Sequence, residues 1–203
     1  MDLEQITKAA EAYAMNCWWQ AHDEKNWEKV KDHIIISERV LFRYTGKFFD
    51  TNLVGDSFVE ALKAYDTFTD ILKKEGPYDS HNSKVAEGKL KEHLEKFYSA
   101  LTGQKSSELA SATTGWWASW AKSMMFYKLG NISEYENADR DLMANLTREH
   151  KIRFGFDEDT AKGLAYLMHA ACNLGHNKRD WPKAKQLLKV YYTELLCNLN
   201  KQN

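Results

Sequence analysis

The chain has 203 residues, with 28 Lys and Arg against 29 Asp and Glu, a formal net charge of −1. That balance excludes the strong one-sign field that draws a protein to nucleic acid or to an anionic membrane surface. No apolar run reaches the roughly 18 residues of a spanning helix, so no membrane partner is expected. The unusual component is aromatic: seven Trp, ten Tyr and nine Phe, more than a core of this size needs.

Helix-period apolar stripes run almost throughout, and alternating Val/Ile/Thr-rich strands are missing. The expected fold is all-α, with about eight helices over roughly 3–21, 27–44, 56–75, 85–101, 108–129, 133–151, 158–173 and 182–199. The N-terminus, Met1-Asp2-Leu3-Glu4-Gln5, is acidic and polar, so no signal peptide is expected. The first helix ends at the polar break His22-Asp23-Glu24-Lys25-Asn26, before Trp27. A longer stretch, from about 41 to 60, is expected to separate the second helix from the third. Gly76-Pro77-Tyr78-Asp79-Ser80-His81-Asn82-Ser83 is a turn cluster. Gly155-Phe156-Asp157 closes one helix with Gly and opens the next with an Asp cap. Trp181-Pro182 places proline in the first turn of the last helix. The three cysteines, Cys17, Cys172 and Cys197, lack metal-ligand spacing and are expected to be reduced in a cytoplasmic protein.

The polar breaks near 22–26, 79–84, 128–131 and 174–180 each lie between two helices and are each followed by an apolar residue, Trp27, Val85, Ile132 and Trp181. This gives four helix–loop–helix units in two pairs, 1–103 and 104–203, within one compact helical domain. The third break carries part of an ion-binding frame. A calcium loop has Gly at position 6, an aliphatic residue at 8 and a bidentate Glu at 12; Gly130, Ile132 and Glu136 have that spacing. Positions 1, 3 and 5 should carry oxygen ligands, but hold Met125, Tyr127 and Leu129. In the first and fourth breaks Lys31 and Lys185 stand where the bidentate Glu belongs, and in the second Leu90 does. Calcium takes six to eight oxygens, so no metal ligands are assigned. Asp157 with Asp159, and Asp50-Thr51-Asn52 before Gly55-Asp56, match the frame in part. The first pair reads more simply as a helix cap and the second as a plain loop.

On these four degenerate loops the chain resembles the EF-hand superfamily of sarcoplasmic calcium-binding proteins, calcium-regulated photoproteins and coelenterazine-binding proteins. The stretches that carry the resemblance are Asp79 to Ala100, Gly130 to Leu142, Phe154 to Asp157 and Leu188 to Leu196. It implies a compact eight-helix domain of four EF-hand-like units and, from the photoproteins, an interior cavity lined by Trp, Tyr and His. The competing readings are an unrelated bundle or tetratricopeptide-like hairpin repeats; no fixed period of about 34 residues emerges to favour the latter.

Trp27 and Trp181, each just after a break, are expected to plug the loops. Trp116 and Trp120 are spaced i, i+4 and share a helix face, with Trp117, Phe126 and Tyr127 nearby. Trp18 and Trp19 occupy the matching place in the first unit, with His22 four residues after Trp18. Tyr166 precedes His169 by three residues, and Tyr191 and Tyr192 lie in the last helix. Helix bundles place ligand sites between helices, among aromatics with a few polar groups. The ligand-binding candidates are therefore Trp18, Trp19, Trp116, Trp117, Trp120, Phe126, Tyr166, Tyr191 and Tyr192, for a small apolar or aromatic molecule. An ordinary aromatic core is the alternative for each of them. There is no nucleophile elbow, phosphate-cradling loop or H-E-x-x-H motif. His169 and His22 are the acid–base candidates, because an imidazole on an apolar helix can titrate near neutrality. His22-Asp23 imitates half of a phosphohydrolase motif without a second half, while Glu92-His93 and Glu149-His150 read as surface pairs. The expected function is small-molecule binding, or chemistry within the cavity, with no cofactor assigned. A residual calcium buffer and a helical protein-interaction module are the alternatives.

Overall fold

The computed structural model describes residues 2–45 and 50–202, all of whose regular structure is helical. The helices are α1 Leu3–Met15, α2 Trp18–Asp23, α3 Trp27–Thr45, α4 Thr51–Glu75, α5 His81–Thr102, α6 Ser107–Lys128, α7 Ile132–Phe154, α8 Glu158–Cys172 and α9 Trp181–Gln202. A π-helical turn, Asn173–Asn177, continues α8. The all-α fold of about eight helices is as expected, with one division: the first expected helix is broken between α1 and α2. The Asn16 amide and side chain both donate to the Ala12 carbonyl and close α1 there. The break re-aims Trp18 and Trp19. No helix among the described residues is long and apolar enough to cross a membrane.

Consecutive helices form hairpins, α4 with α5, α6 with α7 and α8 with α9, while α1 returns to pack along α9. One core runs through both halves of the chain, from Val30, Phe58 and Leu62 to Phe97, Trp117 and Leu146. A second joins α1, α8 and α9 through Ile6, Tyr13, Leu164, Leu188 and Leu195. A third, smaller cluster fixes α4 against α6 through Phe68, Leu72, Ala118 and Ala121.

The connections are shorter than the sequence suggested, because polar residues read as loop or ion-frame positions cap helices. Asp50 accepts from the amides of Asn52 and Leu53, so α4 begins at Thr51, and the expected loop at 50–56 is its first turns. Ser80 and Ser83 form a reciprocal capping box that starts α5 at His81. Of the twelve positions Met125–Glu136, only 129–131 lie outside helix; Gly130 takes the left-handed conformation (φ 69°) and Asn131 caps α7. Asp157 caps α8 through the Thr160 amide and hydroxyl, as expected. Trp27 and Trp181 are the first residues of α3 and α9, each with its ring against a histidine, His22 at 5.7 Å and His176 at 5.4 Å.

Candidate functional site: a tryptophan-lined cleft

Parallel helices α4 and α6 form two sides of a cleft of about 330 Å³; α2 and the π-helical turn close it. Helix α6 contributes Trp117, Ala121, Met124 and Lys128, spaced i, i+4, i+7 and i+11 along one face. Helix α4 contributes Leu62, Tyr65, Thr69 and Lys73 in the same periodicity. Trp116 and Trp120 add the flank of α6, and Trp18 and Trp19 come from the start of α2. The rings form one connected set: Trp18 lies 5.8 Å from Trp19 and 6.1 Å from Trp117, and Trp117 lies 5.8 Å from Trp116 and 5.4 Å from Tyr65. Edge-to-face angles near 80° between Trp18 and Trp19 and between Trp116 and Trp117 suit the ring quadrupoles.

Two histidine–aspartate pairs sit on the α2 side. His22 Nε2 lies 3.0 Å from Asp66 Oδ1, and Lys25 holds the other oxygen of Asp66. His176 Nδ1 lies 3.1 Å from Asp23 Oδ1, and Arg179 pairs with Oδ2. Burial pushes both aspartate carboxyls up, but the hydrogen bonds and cationic partners outweigh it and hold each below the usual carboxylate range. The adjacent His22 and Asp23 thus serve separate pairs, and among the described residues no three His, Cys, Asp or Glu side chains could hold a metal ion. The His22–Asp66 arrangement fixes the imidazole tautomer, as a carboxylate does for a general base. Cys172 also lines the cleft, and burial raises its thiol well above the ordinary value, which disfavours the thiolate.

The π-helical turn is what brings His176 in. Its ring packs 6.0 Å from Trp19, 6.3 Å from Trp120 and 5.4 Å from Trp181. Gly175 permits the approach, since a Cβ there would stand 2.5 Å from the Trp181 ring.

Of the sequence candidates, Trp18, Trp19, Trp116, Trp117, Trp120 and His22 meet in this cleft. The others do not line it. His169 stands on the far side of Trp120, 5.7 Å from its ring, with Nε2 3.3 Å from Asp139. Phe126 packs against Tyr78, and Tyr166 is 56% exposed on the outer face of α8. Tyr191 and Tyr192 face a second space of about 60 Å³, which shares Trp18, Trp116 and Trp117 with the cleft. A polar network runs along it: Arg153 binds both oxygens of Glu38 at 2.6 Å, while Glu149 accepts from Trp116 Nε1 and from the Tyr98 hydroxyl. His150 is buried beside it, Nδ1 donating to the Leu146 carbonyl at 2.8 Å and Nε2 2.8 Å from the Tyr191 hydroxyl. The surface reading of Glu149-His150 is therefore corrected. Packing between α6 and the α8–α9 pair buries two faces of α7, so neighbouring side chains on different faces are both enclosed.

Asp23, Tyr65, His176 and Arg179 were not singled out as site residues. Their signal was weak: His176 and Arg179 lie in a segment that reads as a polar break, and a π turn has no sequence period to betray it. No known protein family, curated protein or solved structure matches the chain.

Proposed function

We propose that this protein binds a small apolar or aromatic molecule in the cleft between α2, α4 and α6. The observation that carries the reading is the convergence of five tryptophans, from segments about a hundred residues apart, on one cleft with room for a ligand. A helical core of this size could be completed with aliphatic side chains. Rings add large, rigid contact area at low entropy cost, which suits a flat guest. The indole N–H of Trp117 is buried with no nitrogen or oxygen acceptor, one of two such side-chain atoms among the described residues.

The test is a titration with N-phenyl-1-naphthylamine, an uncharged aromatic fluorophore, read by energy transfer from tryptophan. Saturable one-to-one binding is expected, lost in Thr69→Phe, which fills the middle of the cleft from α4. Absence of saturable binding, or equal binding by Thr69→Phe, overturns the reading. A second, enzymatic reading rests on the His22–Asp66 pair on the cleft wall. In that case His22→Gln abolishes turnover of the bound molecule while its affinity is kept, and an unchanged turnover in His22→Gln excludes it.

A further inference from the structure

The cleft has a direction. Helices α4 and α6 run parallel, with Tyr65 beside Trp117 and Leu72 clustered with Ala121. Beyond that aromatic level both cleft-facing stripes end in lysine, Lys73 in the last turn of α4 and Lys128 as the last residue of α6. At 1.5 Å per residue, Lys73 stands about 12 Å past Tyr65 and Lys128 about 16 Å past Trp117. Tryptophans thus floor one end, Met124 and Met125 the middle, and two ammonium groups flank the other end.

The charges at the lysine end are unbalanced. Lys73 has an exposed partner in Asp70 at 2.7 Å, whereas Lys128 makes no ion pair or side-chain hydrogen bond with any described residue. Among the described residues the one carboxylate lining the cleft, Asp23, belongs to the opposite end and is already engaged by Arg179 and His176. A lysine in a last helical turn is favoured by the helix dipole alone, and that accounts for each one singly. It does not account for two lysines on neighbouring parallel helices both facing one cleft.

We propose that the cleft takes an elongated amphipathic anion, its apolar or aromatic body lying along the α4–α6 stripes over Trp117 and its acid group held between Lys73 and Lys128. The inference rests on the small-molecule reading above and adds the charge and polarity of the guest. Its anionic end pairs with the ammonium groups, and its apolar end covers the tryptophans.

The test compares 8-anilinonaphthalene-1-sulfonate with its uncharged parent, N-phenyl-1-naphthylamine, in the full chain and in Lys73→Met/Lys128→Met. Both lysines lie in terminal helical turns, and methionine keeps helix propensity and stem length. The sulfonate should bind about tenfold more tightly than the parent at low salt, and the double variant should lose about that factor for the sulfonate alone. Thr69→Phe should abolish both, which places both probes in the cleft. Equal affinities for the two probes, or a double variant that binds the sulfonate as the wild type does, overturns the anion inference while leaving the small-molecule reading intact. Failure of both probes to bind the wild type overturns the two together.

Discussion

His150 makes stability depend on pH in a way the structure lets one calculate. Its imidazole is enclosed, and burial together with the nearby Arg153 charge lowers its pKa from 6.5 to about 4, against a smaller opposing effect of the Leu146 carbonyl. A histidine whose folded pKa lies below its unfolded one contributes stability that is fully present above about pH 6.5 and declines as the pH falls toward about 4. The unfolded chain then takes up a proton that the folded protein refuses. Between pH 7 and pH 5 this single group should remove about 2 kcal/mol, from the linkage relation at 1.36 kcal/mol per pKa unit. Urea unfolding at the two pH values measures it, with His150→Gln as the reference. Glutamine can still accept from the Tyr191 hydroxyl, but it does not titrate. The wild type should lose about 2 kcal/mol more than the variant over that interval. Equal losses would show that His150 is protonated in the folded protein and that the enclosed network around it is wrongly drawn.

Arg153→Met should cost about 3–5 kcal/mol in chemical denaturation, because Glu38 is left buried and unpaired; adding Glu38→Gln should recover most of it, and an additive pair of losses would contradict the ion pair. Ser80→Ala should cost about 1 kcal/mol by removing the capping box at α5, and addition of calcium should not alter that loss. Gly175→Ala should cost about 1–3 kcal/mol and weaken N-phenyl-1-naphthylamine binding, since the new methyl displaces Trp181 and with it His176; unchanged affinity would remove the π-helical turn from the site. Acidification should weaken the α2 side of the cleft. Asp23 and Asp66 have folded pKa values below the usual carboxylate range, so the stability they contribute is present above the unfolded value of about 4 and is lost as the pH falls through the folded values. Asp66→Asn should abolish its share of that acid sensitivity in a melting-temperature series.

The helices were legible because apolar periodicity over many turns leaves little freedom, and the aromatic excess pointed to five of the cleft's ring side chains. Helix starts were not legible where one residue type serves two ends. Asp50 and Ser80 are helix caps through their oxygens, and the same oxygens read as ion-frame or loop residues. The break at Asn16 was hidden because an amide can close a helix from within an unbroken apolar pattern. Whether a tryptophan, tyrosine or histidine faces the cleft or the second space depends on which faces the neighbouring helices cover. Local spacing does not contain that: Tyr191 and Trp120 carry the same kind of signal and end in different cavities. The pairing of Asp23 with His176 joins positions far apart in sequence, beyond any motif.

The most direct test of the central claim is ¹H–¹⁵N NMR of the indole N–H groups during titration with indole, a small uncharged aromatic. Seven tryptophans give seven assignable signals. The cleft account predicts that Trp18, Trp19, Trp117 and Trp120 shift together along one saturable curve, while Trp27 stays fixed. Shifts confined to Trp27 and Trp181, or no saturable shift in any signal, would contradict it.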